Sequence, residues 1–272
     1  RPDVDFEFVN PQDDPRYRDY VDEYLECVGR LGMPPTAART VLRTNQTVIS
    51  AIAVRRGEVD ALICGLEGRF TKHMRDIRQV IGVCETARDL SAMSLLINSR
   101  GAMFLSDTFV TEDPTAEEIS EMAILAAQEI RRFGIEPKVA LLSMSNFGSR
   151  DTASSRKMRE ALELIWERHP ELEADGEMHG DSALSVALRE RVMPNSKLKG
   201  EANLLLFPNL DSANIAHNLL KVATDALHVG PILLGTAKPA HILTPSVTSR
   251  GVVNMSALAS VEAQTRAPEQ SA

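Results

Sequence analysis

At 272 residues the chain exceeds a typical single domain, so one large domain or two lobes with separate cores is expected; 43% hydrophobic and 25% charged residues exclude a disordered or fibrous chain. Aromatic residues make up only 4%, so any core must be aliphatic. A formal net charge of −8 gives no general attraction to nucleic acid or to an anionic membrane, both of which need a basic surface.

Taken in chain order, VDALICG (Val59 to Gly65) predicts a strand, followed by the turn LEGRF and an amphipathic helix from Thr71 to about Val83. DPTAEEISEMAILAAQEIRRFG (Asp113 to Gly134) predicts a solvated helix with one buried face. Thr115 caps it, Glu117 and Glu118 suit its positive N-terminal end, the arginines suit the other end, and Gly134 stops it. KVALLS (Lys138 to Ser143) reads as a strand, then the loop MSNFGSRDTAS, then a helix from about Ser155 to Arg168. ANLLLFP (Ala202 to Pro208) is a third strand, leading through NLDS into a helix from Ala213 to about Ala226. GPILLG (Gly230 to Gly235) is a fourth, GVVNMSALASVEAQ a closing helix, and TRAPEQSA a frayed tail. This alternation predicts an α/β fold, a mostly parallel sheet covered by helices.

Cys27, Cys64 and Cys84 are odd in number, widely spaced and without a C-x-x-C partner, which points to neither a disulfide framework nor a zinc site. A reducing, cytoplasmic setting is the simplest expectation. No apolar run approaches the roughly 20 residues needed to cross a bilayer, and no signal peptide opens the chain. A start at Arg1 rather than a methionine suggests a piece of something longer.

In open α/β sheets, ligands bind beyond the carboxyl ends of the strands, where loops lead into helix N-termini. Ser143, Ser145, Asn146, Gly148, Ser149 and Arg150 offer hydroxyls, an amide, flexible backbone and one cation, suited to phosphate or a thioester carbonyl, and equally to an ordinary capped connection. Gly65, Gly68, Arg69, Lys72, His73 and Arg75 put four potential cations around a helix start but match no nucleotide motif. Arg75 and Arg78 share a face. The six histidines are scattered, with no H-E-x-x-H and no G-x-S-x-G. His179 and Asp181 have a metal-ligand spacing, although a polar turn before a helix explains them more simply. Cys64, at a strand end without an identifiable base, reads as a buried small hydrophobe.

The ordered series PTAEEISEMAILAAQEIRRFGIEPKVALLSMS, REALELI, DGEMHGDSAL, PNSKLKGEANLLLFPNLDSANIAHNLL and GPILLGTAKP resembles the phosphate acetyltransferase and phosphotransbutyrylase family, from about Ser50 to Gln264. ICGLEGRFTKHMRDIRQVIG, LLSMSNFGSRDT and AKPAHILTPSVTSRGVVNM further resemble the variant at the C-terminal end of bacterial multidomain NADP-dependent malic enzymes. The resemblance implies two α/β lobes with a cleft between them: lobe one at residues 1–86 and 238–272, lacking the N-terminal part of the family fold, and lobe two at 87–237.

Active family members move an acetyl group between phosphate and coenzyme A, which needs a base and cations. Their N-D-L-S-R-G pattern falls here on His241, Ile242, Leu243, Thr244, Pro245 and Ser246, and the carboxylate beyond it falls on Gly251. A second family arginine falls on Val28, whereas a third is kept as Arg75; Arg30 and Arg250 lie near the vacancies in sequence. No catalytic residue is therefore expected, and no metal site. The resemblance implies a regulatory domain binding acetyl-CoA or a related CoA ester through Arg75, Ser143, Asn146, Ser149, Lys238, His241 and Thr244. It would act on the malic enzyme domains of the same chain as a homodimer or larger homo-oligomer, with NADP and a divalent metal belonging to upstream domains. The alternative is a working phosphate acetyltransferase.

Overall fold

The structure is a computed structural model that describes residues 1 and 4–266. The chain opens with α1 (Tyr17–Val28), α2 (Pro35–Thr44) and α3 (Gln46–Arg56), then β1 (Leu62–Cys64) and α4 (Phe70–Val80). The middle of the chain forms β2 (Ser91–Asn98), β3 (Gly101–Ser106), α5 (Ala116–Arg132), β4 (Lys138–Leu142), α6 (Ala153–Arg168) and β5 (Glu173–Met178). It continues through α7 (Gly180–Leu184), α8 (Val186–Val192), β6 (Leu204–Leu206), α9 (Leu210–Ala223) and β7 (Leu227–Leu234), and closes with β8 (Ala240–Ile242) and α10 (Ser249–Arg266). The three opening helices and the β2–β3 hairpin are not among the expected elements. Of the expected frayed tail, residues 267–272 lie outside those described.

Two compact units result: Arg1–Glu85 with Thr236–Val247 and the chain from Ser256 onward, and Thr86–Gly235 with Thr248–Met255. The expected division gave all of 238–272 to the first unit. Instead the opening turns of α10 group with the second.

In the first unit, β1 pairs in parallel with β8, Leu62 opposite Ala240 and Cys64 opposite Ile242. An antiparallel bridge between Val83 and Thr236 holds the returning chain. Gly65, at φ +98°, closes β1, because a Cβ there would come within 2.7 Å of Ile242. His241 is fully buried, with Nε2 2.9 Å from Glu262 Oε2 on α10. Arg266, one turn on, pairs with the same carboxylate and donates to Thr236 O at 2.6 Å.

The second unit is a six-stranded sheet in the order β5-β4-β6-β3-β2-β7. β5, β4, β6 and β3 run parallel to one another, as the alternating pattern predicts. The reversed strand is β2, antiparallel to β3 on one side and to β7 on the other, so the GPILLG strand β7 points the same way as the parallel four although its pairing partner is antiparallel. The reversal comes from the turn at Asn98–Gly101, where Asn98 Oδ1 accepts from Arg100 N at 2.8 Å. β2 is buried along six consecutive residues, so it lacks the alternation that would reveal a strand.

Local capping sets the helix starts. Thr115 and Glu118 form a capping box at α5, as read from the sequence. Thr152 and Ser155 do the same at α6, and Asn209 caps α9 through Ser212 N, so both begin two or three residues before their expected starts. The core on the α9 face is aliphatic, built from Leu96, Leu105, Ala140, Leu142, Met178 and Leu205. Among the described residues no helix is long and apolar enough to cross a membrane.

At the edge of that core, His217 (α9) and His228 (β7) lie with ring centroids 4.9 Å apart. Burial, then for His217 its neighbour His228, and Lys221 for both, push each imidazole down to about 4. The unfolded chain, with histidines near 6.5, therefore binds more protons than the native state between those values. This stability is complete above about pH 6.5 and is lost as pH falls toward 4, by up to about 3 kcal/mol per histidine. Urea unfolding across this window is expected to show the loss, and His217→Leu with His228→Val to flatten it; an unchanged slope in the double variant overturns the assignment.

Candidate functional site

The loop from Ser143 to Asp151 joins β4 to α6 at the carboxyl end of the parallel strands, and the neighbouring end of β5 stitches it down. Ser143 N donates to Met178 O at 2.9 Å and Phe147 N to Glu177 O at 2.9 Å. Asn146 Oδ1 accepts from His179 N at 2.8 Å. Phe147 (φ 45°) and Gly148 (φ 83°) form a left-handed turn, and Gly148 N donates to Glu177 Oε1 at 2.9 Å. Arg159 of α6 pairs with the same oxygen at 3.1 Å and with Asp151 at 3.1 Å. Glu177 is fully buried, and its Oε2 has no hydrogen-bond partner.

Ser145, also buried, closes the loop from within: its Oγ accepts from Arg150 N at 3.0 Å and donates to Arg150 O at 3.2 Å. Ser149 Oγ accepts from Asn146 N at 2.9 Å. Most loop amides are thus spent internally, and the outward groups are the half-buried Ser143 hydroxyl, the Asn146 amide, the Ser149 hydroxyl and the Arg150 cation. These are hydrogen-bond donors on a braced frame, chemically suited to phosphate or carbonyl oxygen. Glu177 and Arg159, which brace it, are not among the expected site residues. EADGEM carries three acidic residues, Glu173, Asp175 and Glu177, so the sequence pattern does not single out the one that braces the loop.

In the first unit, Arg75 on α4 is 65% exposed, its Nε 3.9 Å from the buried Asp76, whose Oδ2 accepts from Asn45 Nδ2 at 2.7 Å. His73 is held between two partners. Its Nε2 donates to Glu67 O at 2.6 Å, so Nδ1 must accept from the Thr47 hydroxyl at 2.7 Å. Gly68 leaves room for that ring, since a Cβ would approach Nε2 to 3.0 Å. His73 therefore secures the loop rather than standing among free cations. Burial pushes the Cys64 thiol up to about 12, in line with its reading as a small hydrophobe.

Two expected ligand residues need correction. Lys238 Nζ donates to Val54 O and Arg55 O, both at 3.0 Å, capping the C-terminal end of α3. His241 is fully buried, like both its neighbours on β8, and is engaged by Glu262. Two of the three ammonium donors of Lys238 and Nε2 of His241 are thereby engaged within the unit. Thr244 is half-buried, its Oγ1 3.1 Å from Ser246 Oγ.

Of the substituted positions, Val28 is buried in α1, Pro245 sits on an exposed turn, and Gly251 lies in the opening turn of α10, with its N–H on Thr248 Oγ1 at 3.1 Å. Arg30 and Arg250 are exposed. His179 stands at the N-cap of α7, the polar turn its sequence suggested. Among the described residues no group of three or more His, Cys, Asp and Glu is placed to hold a metal.

The chain thus combines a discontinuous first unit, a mixed α/β sheet and a braced strand-to-helix loop. The chain belongs to the phosphate acetyl/butaryl transferase family, whose model matches residues 1–260. Its fold is similar to that of a phosphotransacetylase from Streptococcus pyogenes, with a TM-score of 0.91 and 26% identity over 97% of this chain and 80% of that one. In sequence it is 66% identical to the NAD-dependent malic enzyme of Rhizobium meliloti over 96% of this chain and 34% of that protein. It is 51% identical to the NADP-dependent malic enzyme of Escherichia coli over 97% of this chain and 35% of that protein. The phosphate acetyltransferase of Paracoccus denitrificans is 33% identical over 93% of this chain and 82% of that protein. The chain thus spans about a third of the length of the malic enzymes it matches.

Replacing Glu177 by Ala strips Gly148 N and Arg159 of their shared acceptor and should lower stability by about 1–3 kcal/mol. Hydrogen exchange at Gly148 is expected to accelerate in the variant; unaltered exchange there would show that Glu177 does not hold the loop.

Proposed function

We propose that this chain is a catalytically inactive phosphotransacetylase-like domain that binds acetyl-CoA and, through it, inhibits the malic enzyme domains of a longer protein. The observation that carries the reading is the state of the catalytic positions. Where active relatives carry two arginines and a carboxylate, this chain has Val28, Pro245 and Gly251. None of these can hold charge or move a proton. Loss of a single oxyanion donor costs roughly 10² to 10³ in rate, so their joint loss removes acetyl transfer.

Val28 supports the reading further, because at 1% exposure it belongs to the core of its unit, where an arginine could not be restored without burying a charge. The proposed acetyl-CoA contacts are Arg75, Ser143, Asn146, Ser149 and Thr244, the expected set without Lys238 and His241. Arg75 supplies the charge for a phosphate group, and the loop hydroxyls and amide supply neutral donors. Nicotinamide and a divalent metal belong to the malic enzyme portion in this reading; the relatives' names divide between NAD and NADP.

Self-association is part of the proposal. α9 presents Ile215, Leu219 and Val222, three or four residues apart and each more than half exposed, as an apolar ridge facing solvent. Leu219→Glu is expected to shift the chain toward monomer in analytical ultracentrifugation, and an unaltered sedimentation profile would remove α9 from the interface.

Isothermal titration should show acetyl-CoA binding to the folded chain, weakened roughly ten- to hundredfold by Arg75→Ala, as for a lost hydrogen bond to a charged group. Acetyl phosphate and coenzyme A should give no thiol consumption above the uncatalysed rate. In the full-length protein, acetyl-CoA should inhibit malate-dependent nicotinamide reduction. Turnover of acetyl phosphate would instead favour the working transferase, and absence of binding would end both readings.

A further inference from the structure

His217 and His228 take no part in the loop or in the proposed regulation, yet they are the most conspicuous unsatisfied polar groups in the second unit. Both ring nitrogens of His217 and Nε2 of His228 are buried without a hydrogen-bond partner. The rings lie 4.9 Å apart between centroids, tilted by 59°, and still neither bonds to the other. A buried polar atom left unmatched costs about 1–3 kcal/mol, which a ligand able to use the lone pairs would recover.

We propose that His217 and His228 form a binding site for a late first-row divalent cation of the zinc, nickel or cobalt class, ligated by Nε2 of His228 and one ring nitrogen of His217. The separation fits. Two imidazoles sharing a tetrahedral ion at about 2.0–2.1 Å hold their centroids roughly 5 Å apart. The protonation state fits as well, because both rings stand at about 4 and enter neutral solution as free bases with no proton to displace. The donor set gives the selectivity: imidazole nitrogen suits zinc, nickel and copper, whereas magnesium and calcium require oxygen.

Among the described residues no third His, Cys, Asp or Glu joins the pair, so solvent completes the coordination shell. His228 is half-buried, which brings the pair close to the surface although the ring nitrogens named above are covered. Lys221, on the same helix as His217, opposes a cation; its ammonium bonds Asn218 Oδ1 at 3.4 Å. The Phe109 ring flanks His217 at 6.3 Å on the apolar side. A bound ion would tie α9 to β7, the edge strand, and stabilise the unit in proportion to its occupancy.

The test is titration of the metal-free chain with zinc chloride at neutral pH, followed by calorimetry and thermal melting, and with cobalt(II) followed by visible absorption. About one equivalent per chain, a raised melting temperature and no response to magnesium are expected. His217→Leu should weaken uptake at least roughly tenfold, while His169→Ala with His179→Ala should leave it unchanged. Should His217→Leu fail to fold, His228→Gln makes the same test at a half-buried position. Absence of saturable uptake by the wild-type chain, or uptake undiminished in the His217 or His228 variant, overturns the proposal.

Discussion

The parallel pairing of Leu62–Cys64 with Ala240–Ile242 is the constraint on which the first unit depends. It brings together Cys64 and His241, residues 177 positions apart, and makes one unit out of two distant stretches of chain. Several local choices follow from it. Gly65 must be glycine because β8 passes too close for a Cβ. β8 is buried along its whole length, His241 included, and a buried imidazole requires a partner, which Glu262 supplies from α10. Arg266 then balances Glu262 and fastens it to Thr236, so the strand carrying the family signature also anchors the closing helix.

The second unit solves a different problem. A loop at the end of a parallel sheet must keep some donors outward without collapsing, and here its own amides are consumed by Ser145, Ser149 and the end of β5. Glu177 is the centre of that arrangement, accepting from Gly148 and Arg159 together. A braced frame of this kind would lose little conformational entropy when a ligand arrives, which favours recognition.

The departures from the active family pattern are all structurally comfortable. Val28 packs in a core, Pro245 occupies an exposed turn where its fixed φ and missing N–H cost nothing, and Gly251 is tied by Thr248. None leaves an unsatisfied charge behind. The proposed function therefore rests on these positions rather than on the loop alone.

The sequence by itself determined the α/β class, the cap and stop of α5, the parallel strands β4 and β6 and the family, because these depend on short-range chemistry and on a long ordered series of motifs. The tertiary structure alone decided the rest. The reversed direction of β2 follows from a hairpin whose first strand, buried on both faces, carries no alternation to read. Lys238 and His241 read as ligand donors until the fold places α3 and α10 against them. His217 and His228 are two scattered histidines in sequence, and only the packing of α9 on the β7 edge makes them a pair. In each case the deciding contact lies between residues far apart along the chain, where local pattern holds no information about which polar atoms will find partners.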